Sequence, residues 1–197
     1  MTFKSPTPRK RGIRAFSHEK AEGLIGEIKQ GMELFVLNKG QADVAEILEH
    51  IAWQTGPATL TISTWTAAGS DINRMKELCD GKLFTNIRWL LDRSFPNRQP
   101  EFFRHIHKLF PSQIRLTAVH SKFAIIRNDR WNIVIRGSAN LNSARRLEHL
   151  EISDDAALAD AIEGYVNTIF ATNSPGEVPL PPMPDDTPEG DDALAAL

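Results

Sequence analysis

Val119-His120-Ser121-Lys122-Phe123-Ala124-Ile125-Ile126-Arg127, Asn128-Asp129, and then Trp131-Asn132-Ile133-Val134-Ile135-Arg136-Gly137-Ser138-Ala139-Asn140 decide how this chain reads. The two runs centred on Phe123-Ala124-Ile125-Ile126 and Ile133-Val134-Ile135 read as strands. Asn128-Asp129 between them predicts a hairpin turn, because both residues tolerate positive φ. Such a hairpin returns the chain to the level of His120. Residues two apart on a strand share a face, so His120 and Lys122 are expected to point one way, with Ser138 and Asn140 beside them. An imidazole can attack phosphorus or protonate a leaving oxygen, and an ammonium neutralises phosphate charge. A hydroxyl and an amide donate to the non-bridging oxygens. Together the four groups suit attack on a phosphodiester.

Outward from the hairpin, strand and helix patterns alternate. Residues 113–118, with Ile114, Leu116 and Ala118 on one side, predict a strand. Upstream, residues 33–38, 58–66 and 85–92 read as strands. Helices are predicted over 17–30, stopped by Gly31, over 41–54, from Asp71 as cap to about Cys79, and from Pro100 to about 109. Residues 94–100, Ser-Phe-Pro-Asn-Arg-Gln-Pro, read as loop. After the hairpin come a strand over 149–153 and a helix over 154–170, with Leu158, Ile162, Val166 and Ile169 inward. This order predicts an α/β protein, an α/β/α sandwich around a central mixed sheet.

The chain has 197 residues, enough for one domain with its own core, and a formal net charge of −2. That sum hides an asymmetry. From Asn173 onward the acids Glu177, Asp185, Asp186, Glu189, Asp191 and Asp192 stand without a Lys or Arg. Against 23 basic residues, the 25 acids less these six leave the body at +4. Residues 173–197, acidic and rich in Pro, are expected to be a disordered tail. Residues 1–16, with Lys4, Arg9, Lys10, Arg11 and Arg14, read as a basic flexible arm, and 17–172 as the folded domain. A mildly basic body permits nucleic-acid binding. No run is long and apolar enough for a membrane span, and no secretory signal is read at the start. The single Cys79 excludes an internal disulfide framework and a cysteine-cluster metal site, and suits a reducing cytoplasm.

His-Ser-Lys followed by Gly-Ser-Ala-Asn resembles the phospholipase D superfamily, the HKD enzymes, over residues 32–170. The family pattern is His-x-Lys, four residues, Asp, then Gly-Ser-x-Asn, with a Glu further on; Glu148 fits that place. More narrowly, the chain resembles small single-motif members encoded by phages and prophages. Two departures stand out: Arg127 occupies the position of the family Asp, and the spacing from His120 to Asn140 is longer than usual. The resemblance implies a metal-independent phosphodiesterase with no cofactor. Its fold would be phospholipase D-like, its catalytic residues His120, Lys122, Ser138, Asn140 and Glu148, and Glu148 would orient a His120 imidazole. One motif per chain implies a homodimer whose two sites meet on the two-fold axis. The expected substrate is nucleic acid, DNA rather than RNA, with no membrane partner.

Arg127, Lys39 and Trp65 are candidate substrate contacts: a guanidinium suits phosphate, Lys39-Gly40-Gln41 follows a strand end where backbone amides can cradle phosphate, and Trp65 ends a strand and can stack on a base. The second His-x-Lys, His18-Glu19-Lys20, falls on the first predicted helix, where residues two apart diverge. The rings of His105 and His107 diverge on a helix likewise, so no metal site is read there, while His50 and His149 read as structural or exposed. Two other functions fit the same residues: a catalytically silent nucleic-acid-binding module, and a phospholipase or phosphatidyl transferase.

Overall fold

The computed structural model describes residues 10–15, 20–142 and 145–173. One mixed eight-stranded sheet runs in the order β1-β2-β8-β7-β6-β3-β4-β5. Its strands are β1 (Lys10–Ala15), β2 (Met32–Asn38), β3 (Ala58–Thr64), β4 (Phe84–Asp92), β5 (Ile114–Thr117), β6 (Lys122–Arg127), β7 (Asn132–Gly137) and β8 (Glu148–Asp154). β6 and β8 run against their neighbours, and the remaining strands share one direction. One edge of the sheet therefore collects the carboxyl ends of β2, β3, β4, β5 and β7 with the amino ends of β6 and β8.

Helices cover both faces. α1 (Ala21–Ile25), α2 (Val44–Thr55), α3 (Gly69–Asp80) and α5 (Pro100–Leu109) pack on one side, in a core that includes Leu24, Ile47, Ile51, Ile72, Trp89, Phe103 and Ile135. α6 (Ala156–Thr172) lies on the other, over Leu90, Ile125 and Val134. Alternation along β7 explains the division: Ile133 and Ile135 face the larger core, and Val134 faces α6. This is the expected α/β/α sandwich. Asp43 starts α2 with a reciprocal cap: its carboxylate accepts Glu46 N–H at 2.8 Å while Glu46 accepts Asp43 N–H at 3.0 Å. No helix of the described residues is long and apolar enough to cross a membrane.

Local expectations are corrected at five places. The first helix covers Ala21–Ile25 and stops at Gly26, whose φ of 69° ends it five residues before Gly31. Residues 10–15, read as part of the arm, pair with β2 as strand β1. Asp71 does not cap α3; Ala68 precedes the helix, and Asp71 is buried in its first turn. The stretch read as loop holds a short helix, α4 (Phe95–Arg98), with a proline in its first turn. At the hairpin, Asn128 and Asp129 need no positive φ, a region that Lys82 alone enters among the described non-glycine residues. Asn128 Oδ1 instead accepts the N–H groups of Arg130 and Trp131, and its Nδ2 donates to Thr55 O and Pro57 O. Residues 1–9 of the arm, His18-Glu19 and the tail beyond Asn173 lie outside the described residues.

Candidate active site

His120 sits in the loop just before β6 rather than on the strand, and is exposed. Two buried-side anchors hold that loop. Ser63 Oγ on β3 donates to Ser121 O at 2.8 Å, and Asp92 Oδ2 at the end of β4 accepts Val119 N–H at 3.1 Å. Lys122 opens β6 and bends back: its Nζ donates to His120 O at 2.8 Å and stands 3.3 Å from His120 Nδ1. The expected pairing of imidazole and ammonium is thus present, made through side-chain curvature rather than through a shared strand face. Partial burial pushes the Lys122 ammonium below its ordinary range, with the Glu148 charge opposing that fall.

The Gly-Ser-Ala-Asn segment leaves β7 directly beside this loop, since Lys122 pairs with Gly137. Gly137 is required by close approach: a Cβ there would run into the carbonyl oxygen of His149 on β8. That contact lets Ser138 N–H reach His149 O at 3.2 Å. Ser138 Oγ donates to the Glu148 carboxylate and accepts His149 N–H at 3.1 Å. Asn140 Oδ1 accepts Trp65 N–H at 3.3 Å and lies 3.5 Å from Thr64 Oγ1. With its oxygen committed, the amide presents Nδ2 as a donor. Glu148 also meets Arg146 Nε at 3.2 Å. Within one chain, therefore, Glu148 holds Ser138 and Arg146 and makes no bond to His120.

The three candidate substrate contacts separate. Trp65 belongs to the site, its ring edge-on to His120 with centroids 5.7 Å apart. Lys39 is exposed beyond the end of β2, where Asn38 pairs with Glu148. The phosphate cradle read there is corrected: the N–H groups of Gly40 and Gln41 are taken by Asn38 Oδ1 at 3.1 and 2.9 Å, and that of Lys39 by Gln41 Oε1. Arg127 lies apart from these groups. It ends β6, about 17 Å of strand from Lys122, and pairs with Asp160 at 2.6 Å and Glu163 at 3.0 Å on α6. Its charge is paired with that helix.

Sequence reasoning missed two residues, Asp92 and Arg98, and read His149 as structural or exposed. Asp92 anchors the His120 loop; the signal was an Asp at a strand end followed two residues later by Ser, an Asx-turn pattern. Arg98 lies over Trp65, hidden in the stretch read as loop. His149 lines the same groove as His120, Lys122 and Ser138, stacked on Phe35 at 6.0 Å. Among the described residues no group of three or more His, Cys, Asp or Glu is placed to hold a metal. His105 bonds Asn73 at 2.6 Å, and His107 packs on Phe103.

The mixed eight-stranded sheet and its flanking helices match a phospholipase D-like fold. Solved structures with this architecture include a phospholipase D family member, Nuc from Salmonella typhimurium, at a TM-score of 0.52 and 11% identity, covering 73% of this chain and 96% of that one. NucT from Helicobacter pylori is similar at a TM-score of 0.51 and 16% identity, over 73% of this chain and 99% of that one. Polyphosphate kinase from Porphyromonas gingivalis is similar at 0.53 and 13% identity, over 82% of this chain but 28% of its own length. No protein-family model and no curated protein sequence matches the chain.

Proposed function

We propose that this chain is a metal-independent phosphodiesterase that cuts nucleic acid, DNA before RNA, as a homodimer in the cytoplasm. The observation that carries the reading is convergence. His120, Lys122, Ser138, Asn140 and Glu148 come from three segments to one end of the sheet, with the Asn140 amide turned by Trp65 N–H so that it can donate. The likeness in fold to a phospholipase D family member supports phosphodiester chemistry at that place. In the proposed reaction a His120 ring nitrogen attacks phosphorus, and the P–O bond to the leaving group breaks as a phosphohistidine forms. The partner subunit's His120 gives its proton to the leaving oxygen. It then takes a proton from water as that water attacks phosphorus, the P–N bond breaks and the ring is restored. Lys122, Ser138 and Asn140 steady the non-bridging oxygens. In this reading Glu148 supports imidazolium charge across the dimer axis.

The family Asp, replaced by Arg127, would stand at the far end of β6, away from these groups. Its absence therefore gives little support to the silent binding module. The test is a digestion panel in EDTA on single- and double-stranded DNA and RNA, comparing wild type with His120→Ala. Cutting by wild type alone, a phosphohistidine by mass spectrometry and a dimeric mass in solution are the expected results. Loss of every cleavage in wild type overturns the enzyme reading. Binding that survives His120→Ala without cleavage establishes the module instead, and head-group release from phospholipid vesicles establishes the lipid enzyme.

A further inference from the structure

The rim beside His120 carries a device that the phosphate-handling groups leave unexplained. Arg98, at the end of α4, lays its guanidinium on Trp65, with Cζ 3.5 Å from the ring centroid. Nη2 donates to Trp65 O at 2.6 Å and Nε to Ser94 Oγ at 2.9 Å. Two of the five guanidinium N–H groups thus fix its plane, and the rest have no partner among the described residues. A surface arginine ordinarily keeps much rotamer freedom; this one is exposed yet held flat. Unpaired bases stack on guanidinium planes as they do on aromatic rings. Trp65 covers one face of the guanidinium and makes a tilted, edge-type contact with His120. The two separations, 3.5 and 5.7 Å, put Arg98 Cζ at most about 9 Å from the imidazole centroid. That is the scale of one nucleotide step along a strand.

We infer that Arg98, stacked on Trp65, seats the nucleobase adjoining the phosphate at His120 and so favours an unpaired strand. The inference rests on the nucleic-acid reading above and names the substrate form for that site. A base held in a duplex is already stacked and paired, and must leave its partner before it can occupy the seat. Arg98 is a substrate-positioning group here, with no part in bond making.

Fluorescence anisotropy tests it on the full chain in EDTA, with His120→Ala in the background so that nothing is cut. The probes are a labelled oligothymidylate and an abasic sugar-phosphate chain of the same length. The expected result is binding about tenfold tighter to the oligothymidylate than to the abasic chain. Adding Arg98→Ala closes that gap to within about twofold and leaves abasic affinity nearly unchanged. Arg98→Lys, which keeps the charge without the flat cation, closes it as well. Equal weakening toward both probes overturns the seat in favour of a phosphate contact. An unchanged gap, or no binding of either probe, also overturns it. Thermal melts establish that each variant is folded. Failure of wild type to cleave any nucleic acid removes the enzyme reading alone, because the affinity gap is measured without turnover.

Discussion

Asp92 Oδ2 accepts the backbone N–H of Val119, one residue before His120, at 3.1 Å. Its other oxygen accepts Ser94 N–H at 2.9 Å and the Ser94 hydroxyl. One carboxylate thereby fastens the imidazole loop and the lead-in to α4, which carries Arg98, to the same strand end. Burial works against the Asp92 charge, but the bonds from Ser94 and Val119 and the nearby Arg98 charge outweigh it. They hold the carboxyl below its ordinary 3.8.

Asp92→Asn is therefore expected to loosen His120 without removing a group that touches substrate. The catalytic rate constant should fall about tenfold with little change in KM, following the cost of a misplaced reacting group. Because its folded pKa is depressed, the Asp92 carboxylate stabilises the fold fully above its unfolded value near 3.8, and that contribution is lost as pH falls through the lower folded value. The stability gap between wild type and Asp92→Asn should be about 1 kcal/mol at neutral pH. Thermal melts across an acid series should show it closing as pH falls below the ordinary 3.8.

The hairpin was legible because its two apolar runs are long and its turn residues distinctive. The fold followed, since strand–helix alternation leaves few topologies. Less visible were features set by tertiary bonding. The polar, proline-bounded stretch around α4 carries no helical period, so its helix and Arg98 could not be read. Asn38 takes the amides of Gly40 and Gln41 through a side-chain turn that resembles an open phosphate loop in sequence. Arg127 looked like a phosphate ligand because its motif position was known and its partners, Asp160 and Glu163, lie more than thirty residues later.

Lys122 and Glu148 predict an alkaline limit. In the proposed reaction the ammonium must be charged to steady phosphate, so kcat/KM should fall as pH rises through the Lys122 pKa, which burial already sets below the ordinary 10.5. Glu148→Gln removes the charge that opposes that fall, and the alkaline limb should move to lower pH. Lys122→Arg keeps its charge throughout the range, so any remaining activity should lose that limb. Complete pH–rate profiles of the three proteins check the order.

Asp71 is 3% exposed, and its Oδ2 has no hydrogen-bond partner among the described residues. Burial first, then the charge of Asp43, pushes its pKa up to about 6. The sign is opposite to that of Asp92: folding favours the protonated acid, so stability should decline as pH rises from about 4 to about 6 and stay low above. Asp71→Asn keeps the shape without the charge. It should raise stability at neutral pH by roughly 2 kcal/mol, a few degrees in Tm, with no gain in acid. Urea unfolding at pH 4 and pH 7.5 checks both halves.

Arg127 offers the sharpest separation of stability from catalysis. Its guanidinium bridges β6 to α6 through Asp160 and Glu163, and Glu163 also accepts Arg88 Nη2 at 3.0 Å. Arg127→Ala leaves Glu163 with Arg88 and Thr61 and removes a partly exposed link, at a cost of about 1 kcal/mol. Arg127→Asp, which restores the residue type of the resembled motif, sets a third carboxylate against Asp160 and Glu163. It should cost more, on the order of 2 kcal/mol. Because this strand end lies about 17 Å from Lys122, kcat per folded molecule should stay within about twofold of wild type in both variants. Steady-state rates taken well below each melting transition, beside the melts themselves, decide the matter. A large fall in kcat for folded Arg127→Ala would return this residue to the substrate path.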